Sequence, residues 1–106
     1  MFDADIQAQL QLMDTARGVE VRAFVTSAAP KPLRWRLIIE SRSAGGTSNV
    51  TQGGATDGGG AAPVGAVTVT RGSEGAVTLL VYDGDQEVAR EVRRLDLPTP
   101  LSLIHI

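Results

Sequence analysis

The sequence predicts an all-β chain, a seven-stranded antiparallel β-sandwich of immunoglobulin-like type. Three observations predict it. Apolar residues recur with period two through almost every run. Signals rich in Gly, Pro and Asp break the chain at short intervals, as in sandwiches with turns every 8 to 12 residues or so. A single tryptophan, Trp35, falls on the third run, where a sandwich of this type places its central filler.

The elements follow in order. Residues 6–12, IQAQLQL, put Ile6, Ala8, Leu10 and Leu12 on one face and Gln7, Gln9 and Gln11 on the other. That alternation suits a half-buried strand, whereas a helix would scatter the same residues around its circumference. The second run, VEVRAFVT at 19–26, aligns Val19, Val21, Ala23 and Val25, and the third, LRWRLIIE at 33–40, aligns Leu33, Trp35, Leu37 and Ile39. Between them Pro30 and Pro32 lack the N–H that a ladder requires and mark a turn.

The segment 40–65 holds most of the 12 glycines and offers little side chain to pack, so it is a long loop, a linker, or a weak strand between loops. TSNVTQGG at 47–54 is the weak strand candidate. Beyond it, GAVTVTR (65–71) and AVTLLVYD (76–83) are rich in β-branched residues, with the turn signal Gly72-Ser73-Glu74-Gly75 between them. Asp83-Gly84 is a tight hairpin signal. QEVAREVRRL (86–95), whose pattern alone also suits a helix, is therefore the returning strand, at an edge because of its charges.

At 106 residues the chain supports one core, so 1–106 is expected to form a single domain. The tail, with Pro98 and Pro100 followed by LSLIHI, is expected to be disordered from about residue 98 unless it docks. The formal charge of −2 provides no general attraction to nucleic acid or an anionic membrane. No run approaches the roughly 18 apolar residues of a membrane helix. The start, MFDADIQ, lacks the basic and apolar regions of a signal peptide, leaving either a cytoplasmic protein or a mature form whose leader Met1 replaces.

Catalytic chemistry finds little purchase. There is no cysteine, hence no thiolate nucleophile, disulfide or cysteine-held metal. The sole histidine, His105, stands next to the last residue, away from any scaffold that could build a triad or a multi-histidine metal site. Asp83, Asp85 and Glu87 alternate like oxygen ligands but lack the spacing of a calcium-binding hand, and the hairpin already accounts for Asp-Gly. GGATDGGG lacks the Lys-Ser/Thr and the helix of a phosphate-cradling loop. Asn49-Val50-Thr51 is a glycosylation sequon that matters only in a eukaryotic secretory pathway. The reading is a binding protein rather than an enzyme, with no cofactor and no metal.

A binding surface is the better prospect. Nine of the ten basic residues are arginine, whose planar fork stacks on aromatic and amide groups as well as carrying charge. With Trp35 inward, Arg34, Arg36 and Ile38 point outward. With Val77, Leu79 and Val81 inward on the neighbouring strand, Leu80 and Tyr82 point outward. Arg34, Arg36, Ile38, Leu80 and Tyr82 form the expected partner-binding set, since arginine beside exposed apolar groups is the composition enriched at interfaces.

The alternating first strand, the Trp- and Arg-bearing LRWRLIIE, the run SRSAGGTSNVTQGG ending in Gln52-Gly53, and LLVYDGDQEVAR together resemble the curli assembly inhibitor family (CsgC/CsgH-like), in its cysteine-free alphaproteobacterial CsgH branch. The likeness spans roughly residues 6 to 95. It implies a seven-stranded immunoglobulin-like fold and a periplasmic, ATP-independent chaperone that binds early oligomers of the major curli subunit and prevents premature amyloid formation. The implied partner is that amyloid-forming subunit, with no nucleic acid, membrane or small-molecule substrate, and the protein is expected to be a monomer. A related branch carries a Cys-x-Cys pair; with no cysteine here, redox chemistry does not carry over. On this resemblance the glycine-rich strand would leave a sheet edge shielded by mobile polar residues. The alternative of another class is a structural or adhesive β-sandwich module of an exported protein.

Overall fold

The computed structural model describes residues 5–43, 45–60, 62–70, 72 and 74–95. The tail from about residue 98 and His105 lie outside the described residues, as do Arg71 and Ser73. Seven strands follow one another: β1 (Ile6–Thr15), β2 (Gly18–Ser27), β3 (Leu33–Ser43), β4 (Gly46–Thr56), β5 (Gly65–Val69), β6 (Glu74–Asp83) and β7 (Gln86–Arg94). No helix occurs among the described residues, and 86–94 is a strand, as the hairpin at Asp83-Gly84 predicts.

Most strands run further than their apolar cores suggest, because polar residues continue the ladders into the hairpins that Thr15–Gly18 and Ser43–Gly46 close. Two limits differ the other way. β5 stops at Val69 rather than at 71, and Glu74 and Gly75, expected in a turn, already belong to β6.

All pairings are antiparallel, in a three-stranded sheet of order β1-β2-β5 and a four-stranded sheet of order β4-β3-β6-β7. An immunoglobulin constant-type domain places its fourth strand with the first, second and fifth. Here β4 instead extends the β3 sheet, because the short Ser43–Gly46 closure turns the chain straight back onto β3.

The two inner faces meet in one core. Leu33, Trp35, Leu37 and Ile39 of β3 and Val77, Leu79 and Val81 of β6 face Val21, Ala23 and Val25 of β2, all buried. Ile6 and Leu10 close one side, with Ala8 and Leu12 half-covered beside them. Among the described residues no polar or charged side chain is buried.

The glycine-rich stretch is neither a linker nor a free loop. Residues 40–43 complete β3, Gly46–Thr56 form β4, and the part after β4 is stitched to β2: Ser27 N–H donates to the Gly58 carbonyl at 2.9 Å, Gly59 bridges Thr26, and Val64 N–H donates to the Ala23 carbonyl at 2.8 Å. The glycines beside Trp35 have a steric cause. A Cβ on Gly54 would lie 3.1 Å from the indole Nε1, and one on Gly65 would lie 2.7 Å from Cη2. A side chain at Gly65 would force the ring to shift, and one at Gly54 would require it to give by a few tenths of an ångström.

Candidate functional site

The outer face of the larger sheet collects all five expected residues. Trp35 is 8% exposed. Its inward orientation fixes the parity of β3, so Arg34 and Arg36 project to solvent while Ile38 is half-buried. In register, Arg34 lies opposite Tyr82 and Arg36 opposite Leu80 on β6, both half-buried, and Ile38 lies opposite Thr78. Each guanidinium thus stands beside an apolar or aromatic neighbour on the adjoining strand.

The glycines of β4 open this face further. Arg34 pairs across to Ala55 and Arg36 to Gly53, so β4 raises nothing larger than a methyl beside them. The result is a groove of about 690 Å³ running from Gly53, Gly54 and Ala55 over the two arginines to Tyr82, Gly84 and Asp85.

Charge is distributed unevenly across the face. Arg90, opposite Leu80 on β7, is clamped by Glu87: its Nε and Nη2 each donate to a carboxylate oxygen at 3.0 Å. That hydrogen bond and the carboxylate's charge raise the Arg90 pKa further above its ordinary value. Asp83 sits 3.5 Å from Lys31 Nζ. Arg34 and Arg36, by contrast, have no carboxylate within ion-pair distance among the described residues. Their charge remains available to a partner.

Two features of this surface are not apparent from strand alternation alone. Between Val81 and Tyr82 the β6–β7 register shifts: Val81 faces Ala89 while Tyr82 faces Glu87, which leaves Val88 as an extra residue. Val88 and Ala89 are consequently both buried, and beyond them Arg90 and Val92 face outward. Val92, 52% exposed, continues the cross-strand row Ile38–Thr78 to the edge of the sheet. In the sequence the shift is marked by the adjacent apolar pair Val88-Ala89, both of which enter the core.

No protein-family model matches the sequence, and no curated protein matches it. Solved structures do. CsgH of R. palustris superposes with a TM-score of 0.61 at 18% identity, covering 80% of this chain and 89% of its own. The E. coli curli protein CsgC, in a selenocysteine form, superposes with a TM-score of 0.59 at 12% identity, covering 82% of this chain and 96% of its own. The chain therefore has the fold of CsgH and of the curli protein CsgC.

Proposed function

We propose that this protein is a periplasmic, ATP-independent chaperone of the cysteine-free, CsgH-like kind, which binds early oligomers of an amyloid-forming curli subunit and delays their polymerisation. Its activity is binding, with no catalytic step and no cofactor, and it works as a monomer. The observation that carries the reading is the pair Arg34 and Arg36, without carboxylate partners, set against Leu80 and Tyr82 on a sheet whose fold is that of two proteins one of which is a curli protein. Absence of cysteine supports the CsgH-like assignment.

The chemistry fits a growing amyloid strand. Guanidinium planes stack on amide and aromatic groups while keeping their charge, and Ile38 and Val92 add apolar contact at the same face. A chaperone acting on rare oligomers works below stoichiometric amounts. A thioflavin fluorescence time course of a purified curli subunit, with this protein well below equimolar, should show a lengthened lag phase. An unchanged lag at equimolar protein would remove the chaperone reading and leave an adhesive or structural sandwich module.

A further inference from the structure

Among the described residues four strands have a side without a hydrogen-bonded neighbour: β1 and β5 in the smaller sheet, β4 and β7 in the larger. Natural sheets blunt such edges with short strands, bulges, inward charges or covering groups, because a bare edge is a template for another strand. Three of the four are blunted here. β5 is only 5 residues long. β7 carries the bulge and has Glu91 and Arg93, 3.8 Å apart, at the rim of the sandwich. β1 receives Arg93, whose Nη1 donates to the Leu10 carbonyl at 3.2 Å.

β4 has none of these devices among the described residues, and the polar residues expected to shield its edge form a regular strand instead. It runs 11 residues, eight of them exposed, with no charged side chain and no proline. Its register against β3 is unbroken from Ser43–Gly46 to Leu33–Thr56. In an antiparallel ladder alternate residues direct N–H and C=O away from the one neighbour they have, so β4 presents a regular row of donors and acceptors that no described residue pairs.

We propose that β4 is a docking edge for an extended polypeptide segment bearing carboxylates at alternate positions. Charge complementarity selects that partner. An added strand would lie about 10 Å from β3, two strand spacings of about 4.8 Å, a gap that a glutamate and an arginine span together. Across that gap at Gly53 and Ala55 β4 offers no obstructing side chain, and Arg36 and Arg34 stand directly behind without a carboxylate of their own. Asp85, the acid of the groove, lies on the β6–β7 turn, with β3 and β6 between it and β4. Backbone pairing supplies the affinity in this mode of recognition, and the outward side chains supply the selection. The inference rests on the bare edge and the two arginines, and holds whether or not the partner is a curli subunit.

The test is amide hydrogen exchange by NMR on the full chain, with and without a synthetic peptide of roughly ten residues alternating Thr and Glu. Alternate amides within residues 47–55 should slow about tenfold or more on saturation. Methylating every second peptide nitrogen on the pairing edge, or exchanging Glu for Lys, should weaken binding by about tenfold or more. Saturable binding without protection in β4, equal binding by the methylated peptide, or no binding at all would overturn the proposal. So would protection of β4 that rises with protein concentration alone, since the occupant would then be a second copy. Delayed fibre formation without protection of β4 would remove the edge and spare the chaperone reading, whereas protection without delay would do the reverse.

Discussion

The Trp35 indole sets the identity of residues well outside its own strand. Its contact with Gly65 leaves less room than a Cβ occupies and its contact with Gly54 is tight, so those glycines belong to the core's geometry rather than to a flexible surface. Trp35→Ala should cost about 3 to 5 kcal/mol, the range for emptying a large buried aromatic site. Gly65→Ala should cost about 1 to 3 kcal/mol as an overpacking change. Thermal or urea unfolding measures both. Combining Gly65→Ala with Trp35→Phe, a smaller ring, should recover part of the loss, so the two changes should be non-additive. Strict additivity would show that the glycine serves something other than the indole. The sequence already implied Trp35 as core, from its place among Leu33, Leu37 and Ile39. It could not show which glycines the ring demands, because Gly65 meets it from a strand of the other sheet and Gly54 through the register that pairs β4 with β3.

At the level of strands, alternation carries most of the candidate site. Once Trp35 and Val81 point inward, Arg34, Arg36, Ile38, Leu80 and Tyr82 have no other face to occupy, and the register sets them side by side. The contribution of β7 was not legible in the same way. One extra residue, Val88, reverses the parity of everything after it, and a bulge is a property of the pairing rather than of either strand. Its consequence is the Arg90–Glu87 clamp on the same face. Replacing Glu87→Gln should release a third guanidinium beside Leu80, leave the thermal midpoint essentially unchanged, and strengthen inhibition of fibre formation at low salt. If inhibition does not change, β7 lies outside the working surface. Lysine at both 34 and 36 should inhibit less than wild type but more than glutamate at both, because charge persists while planar stacking is lost.

For the whole molecule, period-two patterning and turn chemistry specify a sandwich, and circular dichroism should show a β spectrum with negligible helix. What patterning left open was the fourth strand's sheet, since β4 has too few apolar residues to declare a face, and the path of the glycines after it, held by backbone hydrogen bonds to β2. In the proposed function the fold's part is to display one guanidinium-bearing face while the other face of the same sheet is sealed in the core. If charge leads recognition there, inhibition should fall as ionic strength rises, because screening acts over about 8 Å at physiological salt. The central claim is met most directly by a thioflavin time course of a curli subunit with wild type and with Arg34→Glu combined with Arg36→Glu, both verified as folded by their β spectrum and thermal midpoint. The lag phase should be long with wild type and close to that of the subunit alone with the double variant. A folded double variant that prolongs the lag as well as wild type would contradict the assignment of this face.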